Sequence, residues 1–114
     1  MKIINKTKNT TLAGEVVLAD TLFLRMKGLL DRKEIKKGQA LILKPCDSIH
    51  TFFMRFAIDV IFVDRQYKVD LAIQCLKPWR LSPLCWRAKF AIELPCGTIH
   101  DSHTEKGDAI AITD

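Results

Sequence analysis

The stretch SIHTFFMRFAIDVIFVD, residues 48–64, sets the terms for any fold this chain adopts. Ten of its side chains are large and apolar, yet His50, Thr51, Arg55 and Asp59 are set among them. Read as strands over 49–55 and 57–64, the alternation puts apolar residues on every face, so both faces are expected to be covered. A charge placed there must find a partner or change its protonation state. Arg55 and Asp59 are therefore expected to pair, with each other or with Arg25, Arg32, Glu93 or Asp108.

The remaining pattern is mostly extended. ALILK (40–44), KVDLAIQCL (68–76), KFAIEL (89–94) and DAIAIT (108–113) are short runs bounded by Pro, Gly or charge,. Asp64, Arg65 and Gln66 form a candidate turn between two antiparallel partners. Val16–Leu18 ends an extended segment, with Asp20 or Thr21 as the N-cap of a helix that carries Leu22, Phe23, Met26 and Leu30 at helical spacing. Gly28 sits where a glycine closes such a helix. TIHDSHTEK, between Gly97 and Gly107, has room for one short helical turn. The fold class is α+β, predominantly β: a compact barrel- or sandwich-like antiparallel or mixed sheet with one short helix. With 114 residues and no linker or repeat, residues 1–114 are read as one domain,.

Composition excludes several classes. Apolar residues at 48% and charged residues at 27% describe a globular chain rather than a disordered one,. Charges interrupt every apolar run before the ~18 residues of a membrane span, and the N-terminus has no export-signal pattern, so a cytoplasmic location is expected. The net charge of +5 is spread thinly, with small clusters at KEIKK (33–37) and KPWR (77–80), which argues against dedicated nucleic-acid binding,. Cysteines 46, 75, 85 and 96 show no C-x-x-C spacing and are expected to be four reduced, packed thiols,. Cys96, His100 and His103 offer ligands at short spacing that match no zinc pattern. A Cys46 or Cys96 nucleophile activated by His50 has no local signature. Trp79 and Trp86, in LKPWRLSPLCWRAKF, are expected to fold back and cap the core.

The residues Arg25, Gly28, Leu29 and Arg32, the block from His50 to Phe62, then Glu93, Leu94, Pro95, Gly97 and Gly107-Asp108 together resemble the family called domain of unknown function 192. The resemblance runs from about Ala19 to Ile112. It departs at Ala40, where the family usually has glycine, and at Cys96, where it usually has alanine; the second departure argues against cysteine chemistry. The resemblance implies a compact, mainly β fold and supplies no cofactor and no activity. Its polar motif positions coincide with the polar insertions found by periodicity. Arg32, His50, Thr51, Arg55, Asp59 and Glu93 are thus the candidate ligand-binding residues, and no metal ligands are assigned.

Three functions fit these residues. The first is a binding module for a small anionic or hydroxyl-rich ligand, with Arg32, His50 and Arg55 as donors. The second is a structural or interaction protein whose charges only fix the fold and whose partner is another protein. The third is a hydrolase- or lyase-type enzyme with His50 as general base, oriented by Asp59.

Overall fold

The computed structural model describes residues 1–30 and 32–114, and at Leu22, Phe23 and Met26 it describes the backbone alone. Eight strands and two short helices follow one another as β1 (Lys2–Asn5), β2 (Thr10–Ala13), β3 (Glu15–Ala19), α1 (Leu22–Lys27), β4 (Gln39–Leu43), β5 (Ile58–Asp64), β6 (Val69–Leu76), β7 (Ala88–Pro95), α2 (Thr98–Ser102) and β8 (Ile110–Thr113). They form two sheets, ordered β2-β1-β8 and β3-β4-β7-β5-β6. All pairings are antiparallel except β3 with β4. The arrangement is sandwich-like, with no closed barrel among the described residues.

The alternation along β5 and β7 explains the layering. Ile61, Val63, Phe90, Ile92 and Leu94 point toward the small sheet and pack with its Ile3, Leu12 and Ile110. Ile58, Val60, Phe62 and Ala91 point the other way, where Leu29, Ile35, Ile49, Met54 and Cys85 cover them. The five-stranded sheet is thus buried on both faces, as a continuous apolar run requires. Six of the seven β5 residues are buried.

Local signals decide several boundaries. Thr21 Oγ1 accepts from the Leu24 N–H at 3.2 Å and caps α1. Gly28 closes it at φ 48°, a left-handed conformation that favours glycine,. Asp64 Oδ1 accepts from the N–H groups of Gln66 and Lys68, which makes the turn between β5 and β6,. The apolar face assigned to α1 falls on Leu22, Phe23 and Met26, whose side chains lie outside the described residues.

Two expectations are corrected. Residues 49–55 form no strand: a single bridge joins His50 to Leu81, and a turn follows at Phe52-Phe53. Ile49, Thr51 and Met54 are buried while Phe52, Phe53 and Arg55 are exposed, a pattern that strict alternation does not produce. The N-terminal hairpin, β1 with β2, carries too few apolar residues to announce itself.

That hairpin is held by a buried polar clasp. Asn5 Nδ2 donates to Thr104 Oγ1 at 3.0 Å and to Asp108 Oδ2 at 2.9 Å, and Lys8 Nζ reaches both Asp108 oxygens at 3.0 Å. The Glu105 N–H also donates to Asp108. Burial alone would raise the Asp108 pKa, but the hydrogen bonds from Asn5, Glu105 and Lys8 hold it below the usual carboxylate range,. Asp108→Ala leaves these donors without their acceptor and is expected to lower unfolding stability by about 2–3 kcal/mol in urea titrations. Because the folded-state pKa is depressed, this contribution is present above the ordinary carboxylate pKa and fades as pH falls through the depressed one. The difference between wild type and variant should therefore shrink toward acid pH.

Candidate functional site

Strand register separates the two acids of the central strands. Asp59 lies opposite Leu94, and Val60 lies opposite Glu93. Leu94 belongs to the core between the sheets and Val60 to the core beneath α1, so Asp59 and Glu93 point to opposite faces,.

Asp59 is 0% exposed, and the backbone satisfies it. Its Oδ1 accepts from the Cys75 N–H at 2.8 Å, and its Oδ2 from the Ile99 N–H at 2.7 Å. The expected pairing of Arg55 with Asp59 is absent among the described residues: Arg55 is exposed, and two amides do for Asp59 what a guanidinium would have done,.

Glu93 is 4% exposed but differs in one respect, having no hydrogen-bond or ion-pair partner among the described residues. Its carboxyl forms part of the wall of a cavity of about 290 Å³ lined also by Arg25, Gly28, Leu29, Leu43, Cys46, Asp47, His50 and Met54. Burial pushes its pKa up to about 7,. A Cβ built on Gly28 would come within 3.8 Å of Glu93 Oε1, so the end of α1 roofs the carboxyl closely. Arg25 donates to the carbonyls of Asp20 and Lys44, both at 3.2 Å, and so ties α1 to the β4 exit beside the cavity.

The other candidates are placed as follows. His50 is exposed and lines the Glu93 cavity. Its Nδ1 accepts from the Phe52 N–H at 3.2 Å, which leaves Nε2 to carry the proton. Arg32 lines an adjoining hollow that shares Lys27 and Gly28 with this cavity. Thr51 is fully buried; its hydroxyl donates to the Lys77 carbonyl and accepts from the Arg80 N–H at 2.9 Å, pinning the loop before β7. His50 and Glu93 are therefore brought together, Arg32 stands next to them, and Asp59 is across the sheet. The expected orientation of His50 by Asp59 is not formed. Arg25 and Asp47, which periodicity did not select, join the cavity instead.

The cysteines are also corrected. Cys75 and Cys96 form a disulfide, with Cα atoms 4.8 Å apart, rather than two reduced thiols. Ile58 pairs with Leu76 on one side and Pro95 on the other, so the two cysteines flank the start of β5. Cys46 remains free, but burial pushes its thiol up to about 11, far from a thiolate at neutral pH,. The sulfur that would have joined His100 and His103 in metal binding is bonded to Cys75.

Comparison with known proteins gives the family and the fold. The profile of DUF192, described as "Uncharacterized ACR", matches residues 3–112. A UPF0127 protein of Thermococcus sibiricus is 39% identical over 113 residues, covering 95% of this chain and 72% of that one. UPF0127 protein PH1112 of Pyrococcus horikoshii is 37% identical, covering 95% of this chain and 96% of that one. The crystal structure of a protein of unknown function from Novosphingobium aromaticivorans superposes with a TM-score of 0.86 at 18% identity, covering 98% and 84% of the two chains, and so shares the fold. With nearly its whole length matched, this chain belongs to the DUF192 family.

Proposed function

We propose that the protein is a small-ligand binding module whose cavity takes a compact hydroxyl-bearing anion. One observation carries this reading: the Glu93 carboxyl lines a cavity and has no hydrogen-bond partner among the described residues. A carboxyl in a largely apolar setting whose oxygens still reach the cavity offers its bonding capacity to a ligand or to solvent there,. Near neutral pH this carboxyl is divided between its two protonation states, one accepting only and one able to donate,. A hydroxyl group complements both.

The rest of the lining points the same way. Leu29, Leu43 and Met54 give an apolar wall, and the cationic or donor groups of Arg25, Lys27 and His50 outnumber the one further carboxylate, Asp47,. These disfavour an amine ligand and favour an anionic group on the molecule whose hydroxyl meets Glu93. In this reading His50 and Glu93 contact the ligand directly and Arg32 adds to the field from the neighbouring hollow. Thr51 and Asp59 hold the frame, and Arg55 acts through its charge alone.

Screening by thermal shift checks the proposal. Panels of small hydroxy acids, sugar acids, neutral polyols and simple amines are compared on wild type, Glu93→Gln and His50→Ala. A ligand at 100 times its Kd adds roughly 2.7 kcal/mol of stability to wild type. A hydroxy acid is expected to do so, with affinity reduced at least about tenfold in Glu93→Gln, the equivalent of one lost charged hydrogen bond. Stabilisation by amines, or equal stabilisation of the Glu93→Gln variant, would overturn the assignment.

The same variant carries a pH signature. The folded-state pKa of about 7 lies above the ordinary 4.5, so the native state holds the extra proton between these values. Stability therefore falls as pH rises through that window and stays reduced above it. Glu93→Gln removes the penalty and should be more stable than wild type by ~3 kcal/mol above the window, with no gain below it. Denaturant titrations across that range measure it.

A further inference from the structure

Independently of the cavity, we propose that the loops carrying Phe52, Phe53 and Trp79 form a docking surface for an anionic lipid bilayer. The tryptophans do not fold back over the core as their sequence context led us to expect. Trp79 is 55% exposed, Phe53 70% and Trp86 84%, and Leu81 and Leu84 are exposed on the same segment. The rings of Phe53 and Trp79 lie 4.6 Å apart, and Phe52 joins them at 6.1 Å from Trp79. Exposed apolar side chains are common singly; a cluster of three aromatics with aliphatics beside it is not.

The backbone is shaped to present these rings. Phe53 and Trp79 hold positive φ values of 67° and 64°, a conformation that bulky L-residues rarely adopt and that burial does not explain here,. Outliers of this kind concentrate at functional surfaces. The loops themselves are already wired. The Thr51 N–H donates to the Arg80 carbonyl at 2.8 Å, the Trp79 N–H to the Thr51 carbonyl at 2.9 Å, and the Ser82 N–H to the Ile49 carbonyl at 2.9 Å. Rings mounted on a hydrogen-bonded loop can enter an apolar phase without carrying those amide groups in unpaired, which is the condition a bilayer imposes.

Charge selects the occupant. Residues 48–58 and 77–92 hold Arg55, Lys77, Arg80, Arg87 and Lys89, and no Asp or Glu. Arg55, Lys77, Arg80 and Arg87 are exposed. The carboxylates that come near the loop, Asp47 and Asp70, lie beside Cys85. Tryptophan and phenylalanine that share their segments with exposed cations on flexible apolar stems match the interface of an anionic membrane, where rings sit among headgroups and cations meet phosphates,. No helix of the described residues is long and apolar enough to cross a membrane.

The two tryptophans of the chain, Trp79 and Trp86, both sit in this loop, so their emission reports on it directly. The full chain is mixed with phosphatidylcholine vesicles, with or without phosphatidylserine, and followed by co-sedimentation and tryptophan emission. Wild type is expected to bind the anionic vesicles with a blue shift, and more weakly as salt is added. Arg80→Gln and Arg87→Gln should each weaken partitioning about fivefold. Phe53→Ser with Trp79→Ser should abolish it, while an unchanged unfolding midpoint shows that the fold persists. Absence of vesicle binding, equal binding to neutral vesicles, or binding untouched by the double serine variant would each overturn the proposal. So would wild-type dimerisation lost in that variant without vesicle binding, which would assign the surface to a second copy of the chain.

Discussion

The structure depends on a sheet that is sealed on both faces. β5 and β7 lie in the interior of the five-stranded sheet, with the small sheet on one side and Leu29, Ile35, Ile49, Met54 and Cys85 on the other. Such strands gain most from apolar side chains, and every polar one must be accounted for. Asp59 and Glu93 sit at neighbouring register positions and meet that requirement in opposite ways. Asp59 is saturated by two amides that lock the end of β6 and the start of α2 to the sheet. Glu93 has no such closure and faces a cavity. The first stabilises the fold; the second is carried at a cost in stability.

The legible part of the fold was the part governed by alternation. β4 to β8 lie close to the runs that period-two patterning marks, and the turn at Asp64 and the cap at Thr21 follow from side chains that hydrogen-bond to nearby amides. Residues 49–55 defeated the same reasoning because Phe52 and Phe53 stand exposed on a turn rather than packed in a strand. An apolar residue in a strand and an apolar residue on an exposed loop are identical in sequence. Only the pairing of Thr51 with Lys77 and Arg80 decides between them, and that contact spans about thirty residues. The hairpin of β1 and β2 was silent for another reason. The Asn5–Asp108 clasp that ties it down spans 103 positions, which no local pattern encodes.

The candidate site was legible in part, and the reason is again register. Periodicity identified which polar residues lie among apolar ones, and His50 and Glu93 do share one cavity. It could not say which face Asp59 takes relative to Glu93, because that depends on how β5 pairs with β7. A shift of one residue would have exchanged their faces. The departure from the family pattern at Cys96 has a counterpart in the same geometry. β5 begins between the end of β6 and the end of β7, so a cysteine at 96 meets Cys75 across that junction, next to the amide that Asp59 holds.

The cavity and the aromatic loop share a residue environment although they rest on separate observations. His50 lines the cavity and stacks on Phe52, with ring centroids 5.0 Å apart. Its Nδ1 accepts from the Phe52 backbone N–H, which fixes the ring where the cavity and the loop meet. Thr51, the next residue, ties the two loops together beneath them.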